Sequence, residues 1–299
     1  LIRRMKAEGG TEMSYGISAG LSELSRAGSP GEAISHIILL TDGNTYGDEE
    51  ECIRLARQAK NRGISITAVG LGTDWNEELL ENIAQASGGV SLYIPHPREL
   101  PRTFRERVEA LARAISSFYG RIELNEGVKL KGLFRLDPQT SRVIGDDRTF
   151  FLGPFSGSVR LLAELVIPPL PAGQYTVLRW EFGDMSGKLS ARGEVSLGMA
   201  EGAGEQAIPR EILAAAGQVA IFKLREKAWE EIRAGKRTKA SGSLLFLARR
   251  LEEAGEKELA MLARREAMLL PEAGDLSAEG RKKLYYNTRL LALKPPEEG

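Results

Sequence analysis

The stretch "HIILLTDGNTYGDEE", residues 36–50, decides how the first third of the chain is read. Ile37 to Leu40 are apolar without a break, and Thr41-Asp42-Gly43 then stops the run. A short, continuous apolar run predicts a strand over Ser35–Leu40, of the type buried on both faces in a parallel sheet. The carboxylate that ends it is open to four readings: a turn residue before glycine, a helix cap, a catalytic acid or a metal ligand.

Upstream, Met13, Ile17, Leu21 and Leu24 recur at helical spacing, which predicts a helix over 12–26 behind the turn Gly9-Gly10-Thr11. Thr11 is by itself a suitable N-cap for that helix. Ser29-Pro30-Gly31 reads as a loop. Downstream, Asp48 can cap a helix striped by Cys52, Leu55, Ala56 and Ala59 and ended by Gly63, with the acidic run Asp48–Glu51 complementing its dipole. Ile64–Leu71 predicts a second strand. Asp74 and Glu77 suggest a capping box for a helix carrying Leu79, Leu80, Ile83 and Ala84. Gly88-Gly89 ends it, and Val90–Ile94 predicts a third strand. Alternating strands and helices at this spacing define βαβ crossovers in an open, Rossmann-like parallel sheet. Such sheets carry ligands at the carboxyl ends of their strands, where Asp42 stands.

The pattern then changes. Leu100, Phe104, Val108, Leu111, Ile115 and Phe118 predict one long amphipathic connecting helix, residues 98–119. From Arg121 to Leu197 the apolar period is two, between turns rich in Gly, Pro and Asp, which predicts a small antiparallel β-sandwich over 120–198. Gly198–Gln206 reads as a linker. The remainder, 207–293, is helical throughout, with Gly235, Gly255 and Gly274 at the turns and Trp229 in the core, and Pro295-Pro296 opens a frayed tail.

Composition excludes several functions. The chain has 299 residues with 41 basic and 41 acidic side chains, so no net field draws it to nucleic acid or an anionic membrane. Its one cysteine, Cys52, rules out an intrachain disulfide and favours a reducing compartment. No apolar run approaches the about 18 residues that span a bilayer. Residue 1 is Leu, which reads as a chain lacking its natural N-terminus.

"GGTEMSYGISAGL" together with "ISHIILLTDGNTYGDEEECIRLARQAKNRGISITAVGLGTDWNEELLENIAQASGG" resembles the second half of a von Willebrand factor A (VWA) domain, here residues 1–97. "FFLGPFSGSVRLLAELVIPPLPAGQY" and the helical "KLREKAWEEIRAG", "LLFLARRLEEAGEKELA" and "EGRKKLYYNTRLL" resemble modules that follow this domain in some large bacterial proteins. The resemblance implies a metal-ion-dependent adhesion site in which Thr11 and Asp42 help hold Mg²⁺ or Mn²⁺. Gly10, Glu12, Gly43 and Asn44 then rim the surface that meets a protein partner, whose acidic side chain completes the coordination. The family's Asp-x-Ser-x-Ser loop is absent. The nearest strings, Asp184-Met-Ser186-Gly-Lys188 and Asp275-Leu-Ser277-Ala-Glu279, do not complete it. The strand that the resemblance places beside Ile37–Leu40 is absent with it, which implies a bare sheet edge.

The expected function is therefore an interaction scaffold bridged by a divalent ion. The alternative is a metal-independent subunit that is complemented by another chain or forms homo-oligomers through the sheet edge and helical tail. No Ser/His/Asp, Cys/His or paired-carboxylate set supports an enzyme. His36 and His96 read as packing residues and Cys52 as a buried small hydrophobe. Gly70-x-Gly72 lacks the third glycine of a dinucleotide loop. The basic clusters Arg3-Arg4 and Arg281-Lys282-Lys283 read as solvated helix faces.

Overall fold

The computed structural model describes residues 10–26, 34–143, 145–146, 149–155, 157–184, 187, 189–200 and 208–293. The expected features at Gly9, Arg3-Arg4, Ser29-Pro30-Gly31 and Pro295-Pro296 lie outside these residues.

Three parallel strands, β1 (His36–Thr41), β2 (Ser65–Leu71) and β3 (Val90–Ile94), pair in the order β1-β2-β3, with His36 opposite Ser65 and Thr67 opposite Val90. Helices α1 (Met13–Arg26), α2 (Glu49–Asn61) and α3 (Glu77–Ala86) cover one face. That face presents Ile37, Leu39, Ile66 and Ala68, which interlock with Ile17, Leu21, Cys52, Leu55, Leu80 and Ile83. Alternation along the strands sends His36, Ile38, Leu40, Thr67 and Val69 to the other face. β2 is buried along nearly its whole length, as a central strand should be. β1 departs from the two-sided burial expected of it: Ile37, Leu39 and Thr41 are buried, but Leu40 is 42% exposed. Among the described residues β1 pairs with β2 alone, so its second edge and second face have no cover at Leu40.

Gly70-x-Gly72 has a packing explanation. A Cβ at Gly70 would stand 2.1 Å from the indole of Trp75, which folds back over the strand. Gly72 turns with φ of +71°, and its carbonyl accepts from Trp75 Nε1 at 2.9 Å.

The connecting helix is shorter than its periodicity suggested. A 3₁₀ turn at Pro97–Glu99 leads into α4 (Leu100–Ala112), which ends before Ile115. Ile115 and Phe118 belong instead to strand β4 (Ile115–Leu124), whose early residues continue the apolar spacing by coincidence of period. Phe104 and Val108 on α4 are nearly half exposed.

The β-rich part continues with β5 (Lys129–Arg135), β6 (Ser141–Arg142), β7 (Gly145–Asp146), β8 (Thr149–Phe155), β9 (Leu161–Val166), β10 (Gly173–Asp184) and β11 (Ser190–Met199). They form an antiparallel sheet β11-β10-β4-β8-β7 and a smaller one β6-β5-β9. Ile122, Val128, Leu133, Phe150, Leu152, Val177 and Leu178 fill the space between them. On the outer face Arg179 sits opposite Glu194 and Glu123, and Glu181 opposite Arg192 and Arg121, so neighbouring charges alternate in sign.

Four helices follow: α5 (Arg210–Arg233), α6 (Arg237–Glu253), α7 (Lys257–Ala273) and α8 (Ala278–Leu290). They do not trail away as a free tail. Lys282 on α8 is 2% exposed, and its ammonium reaches Glu77 of α3 at 2.6 Å and lies 3.9 Å from the Trp75 ring centre. Arg281 bonds the same carboxylate at 3.1 Å, and Trp229 of α5 donates to it at 3.3 Å. The reading of Arg281–Lys283 as a solvated face therefore fails at Lys282, because Glu77 supplies the buried counter-charge that sequence spacing could not reveal. The two partners respond differently to this pairing. Burial pushes the Glu77 carboxyl up, but Lys282 and Arg281 outweigh it and hold Glu77 below the usual carboxylate range. At Lys282, burial outweighs Glu77 and draws the ammonium below the usual lysine range. The direction at Glu77 describes the pair better, since three donors converge on that one carboxylate.

One turn along α3, Arg289 binds Glu81 through both terminal nitrogens, Ser91 at 2.9 Å and the Thr140 carbonyl at 3.0 Å. A single buried guanidinium thus joins the parallel sheet, the β-rich part and the helical part. Phe134 and Leu136 of the β-rich part pack against Ala215, Val219 and Phe222 of α5 in a further shared core.

Candidate functional site

Asp42 follows the carboxyl end of β1 and is exposed. Thr41, which is buried, shapes the turn beneath it: its hydroxyl donates to the Gly43 carbonyl at 2.8 Å and accepts from the Gly43 N–H at 3.3 Å. Gly10, Thr11 and Glu12 form the exposed approach to α1. The two loops abut, since a Cβ at Gly43 would stand 3.5 Å from Thr11 Oγ1. Gly43 and Asn44 are half-buried at this seam.

The device that holds the loops together was not visible in the sequence. Thr45, 4% exposed, accepts from the Met13 N–H at 3.2 Å. Its single hydroxyl proton serves the Thr11 carbonyl at 2.9 Å or Asp48 Oδ1 at 2.5 Å, one at a time. The other oxygen of Asp48 accepts from the Ser14 N–H at 2.8 Å. The N-terminus of α1 is therefore capped from the far side of β1 by Thr45 and Asp48. Asp48 does occupy the N-cap position of α2, but its side chain does not cap that helix, contrary to the local reading. Thr11 does not cap α1 either: among the described residues its hydroxyl makes no hydrogen bond, and its carbonyl is the group engaged. The capping box proposed for Asp74 and Glu77 gives way in the same manner. Asn76 caps α3, accepting from Glu78 and Leu79, while Glu77 turns inward to Lys282.

Partial burial pushes the Asp48 carboxyl up, but hydrogen bonds from Thr45, Ser14 and Cys52 hold it below the usual range. A carboxylate depressed in the folded state contributes stability above its unfolded pKa, and that contribution fades as pH falls through the folded value. Asp48→Ala is therefore expected to cost about 1 kcal/mol at neutral pH, the usual loss for a cap. Urea titrations at pH 7 and pH 3 should show the gap between the two proteins closing at the lower pH. Cys52 beneath it is fully buried, and burial followed by the nearby Asp48 charge pushes its thiol up to about 12, so it is no nucleophile.

Thr11 Oγ1 and the Asp42 carboxylate are hard oxygen donors of the kind Mg²⁺ and Mn²⁺ take, but Mg²⁺ needs about six ligands. Among the described residues no three His, Cys, Asp or Glu side chains gather as a metal group. In the two strings nearest to the missing loop, Asp184 and Ser277 do other work, and Ser186 and Lys188 lie outside the described residues. Asp184 accepts from the Leu189 N–H at 2.9 Å and closes the β10–β11 hairpin, while Ser277 caps α8, accepting from the Gly280 N–H at 3.0 Å. His36 lies between the Ser65 and Thr67 hydroxyls, at 2.7 and 2.9 Å, near the opposite end of β1 from Asp42.

Comparison with known proteins bears on the family and the fold. Residues 1–106 match the von Willebrand factor type A domain, and residues 210–294 match the Sll0103-like, C-terminal alpha-helical domain. The solved structure of a von Willebrand factor type A protein from Catenulispora acidiphila superposes with a TM-score of 0.82 at 18% identity, over 97% of this chain and 72% of that one. A human COPII-coat protein superposes at 0.52 with 12% identity, over 94% of this chain and 42% of that one. These two likenesses are of fold. An uncharacterized protein from Synechocystis sp., sll0103, is 37% identical over 112 residues, which are 37% of this chain and 26% of that protein. Inter alpha-trypsin inhibitor heavy chain 4 of Mus musculus is 34% identical over 95 residues, 29% of this chain and 10% of that protein. The matches thus span about a quarter and a tenth of these curated relatives. The N-terminal part of the chain is a von Willebrand factor A unit, a type of domain that in general serves protein interaction rather than catalysis. No helix among the described residues is long and apolar enough to cross a membrane.

Proposed function

We propose that this chain is a protein-interaction scaffold, acting in the bacterial cytoplasm, whose von Willebrand factor A face docks an acidic partner through Mg²⁺ or Mn²⁺. The observation that carries the reading is the seam between the Thr11 and Asp42 loops, held in register by Thr45 and Asp48. Thr11 and Asp42 would hold the ion together with waters and a further oxygen-bearing loop, and Gly10, Glu12, Gly43 and Asn44 would rim the contact. When bound, the ion offers an electrophilic position to a partner carboxylate. The chain's own contribution is to present one neutral and one anionic oxygen on a rigid sheet end.

In a pull-down with an identified partner, EDTA should abolish retention and Asp42→Ala should mimic EDTA. Retention unchanged by both would sink the metal bridge. A second reading rests on the open edge of β1 and the exposed Leu40, Phe104 and Val108, which suit assembly with another chain or a second copy without metal. It predicts a complex whose size by light scattering ignores EDTA, and a monomer at micromolar concentration counts against it. The helical part is less suited to drive such assembly than the edge, because α8 spends Lys282 and Arg289 on α3 within the same chain.

A further inference from the structure

At the end of the sheet remote from Asp42, a cavity of about 210 Å³ opens between the starts of β1 and β2, the α3–β3 turn, α4 and the β-rich part. By the same measure one water needs only about 10–15 Å³, so the space exceeds a single solvent molecule many times. Its walls carry His36, Thr67, Arg107 of α4, Arg135 of β5 and Asp137.

The charges on these walls do not balance. Asp137 is the carboxylate in the lining, and Arg160 holds it by two bonds of 2.7 and 2.9 Å. Arg135 is 7% exposed. Its terminal nitrogens donate to the carbonyls of Gly89 at 2.7 Å and Leu152 at 3.1 Å, with Gly88 at a marginal 3.5 Å, and its Nε is buried without a partner. Arg107 is half-buried, lines the cavity and has no acceptor among the described residues. Glu81, the acid that acts on Arg135 from nearby, is already held by Arg289. His36 does not help: burial, followed by the charge of Arg107, lowers its pKa to about 4, and both ring nitrogens are taken by hydroxyls. Two guanidinium groups thus line one cavity with no free anion beside them among the described residues.

Burying such charge without a counter-ion is costly, and guanidinium forks bind tetrahedral oxyanions through paired, charge-assisted hydrogen bonds. We propose that this cavity is a binding site for a small free oxyanion of the phosphate or sulfate class, held between Arg107 and Arg135. The neutral hydroxyls and imidazole of the sheet end line the rest of the space. The anion would sit where the parallel sheet, α4 and the β-rich part meet, so its binding would tighten that joint. The site is independent of the Thr11/Asp42 face, and either proposal can fail without the other.

Calorimetric titration of the chain with inorganic phosphate in chloride buffer, at constant ionic strength, should give a saturable heat. A thermal melt should shift upward by a few degrees once the site fills. Arg107→Gln should abolish both effects while leaving the far-ultraviolet spectrum intact. Arg107→Lys, which keeps the charge but loses the fork, should weaken binding about tenfold or more, judged against the strength of bidentate pairs. Arg102→Gln on the same helix, where the arginine is exposed and paired with Glu106 at 3.1 Å, should bind as the parent does. No saturable heat with phosphate would overturn the proposal, as would an equal loss in Arg102→Gln, which would mark diffuse attraction. Acetate binding as tightly as phosphate would overturn the oxyanion class and point to a carboxylate ligand.

Discussion

Glu81→Ala is expected to remove about 3–5 kcal/mol of stability, the usual cost of breaking a buried ion pair from one side. Arg289 is fully buried and Glu81 is 4% exposed, so the guanidinium left behind cannot recover water. Its remaining partners, the Thr140 carbonyl and the Ser91 hydroxyl, are neutral and satisfy its donors without balancing its charge. The loss should appear as a lower urea midpoint. Replacing both partners together, Glu81→Leu with Arg289→Leu, should recover much of it, because no charge is then stranded. A useful contrast is Glu51→Ala, which removes a pair to Arg54 with side chains 45% and 61% exposed. That change should leave the urea midpoint almost where it is. If Glu81→Ala cost no more than Glu51→Ala, the node at Arg289 would not be holding the three parts together.

The sequence pattern located the strands of the parallel sheet because buried strands leave short apolar runs between glycine-rich turns. It did not rank them. β2 and β1 look alike as strings, but among the described residues β2 pairs along both edges and is buried almost throughout, whereas β1 pairs along one edge and leaves Leu40 exposed. The α4 stripe failed for a different reason: periods of 3.6 and 2 agree over a few residues, and Ile115 and Phe118 fit both. Thr11 and Asp42 stood out at the proper end of the sheet. What positions them did not, since Asp48 and Thr45 act across 34 residues on the start of α1. Local capping rules assign Asp48 to its own helix, where tertiary contact overrides them. The buried counter-charges are the least legible class. Lys282 and Arg289 are polar letters on a helix, and their partners lie more than 200 residues away. Arg107 and Arg135, which have no carboxylate bonded to them among the described residues, share that property: nothing in the spacing of α4 and β5 shows that they line one cavity.

The arrangement divides labour between the two ends of the sheet. The end bearing Asp42 is exposed and rests on hydrogen bonds from short polar side chains, as suits a surface that meets a partner. The other end is packed against the β-rich part so closely that a Cβ at Gly88 would stand 2.6 Å from the Phe151 ring. The buried bonds of Arg135 and Arg289 fix that end.

Whether the base is fixed enough to make the chain unfold as one unit can be tested at Phe222. This residue of α5 is fully buried, meets Phe134 of β5 edge to face at 6.1 Å, and lies in a core shared by the β-rich and helical parts. Arg225 of the same helix lies over the Phe222 ring, 4.7 Å from its centre. Phe222→Ala is expected to cost about 3–5 kcal/mol, the range for emptying a buried aromatic site. Phe222→Leu, which keeps most of the volume, should cost far less. Because the cavity falls on the seam rather than within one part, coupling should suffer with stability. Urea unfolding followed separately by tryptophan fluorescence and circular dichroism should coincide in the parent and separate in Phe222→Ala. A cost under about 1 kcal/mol, or a large cost with coincident transitions, would mean that Arg289 and Glu77, not this aromatic seam, carry the coupling between the parts.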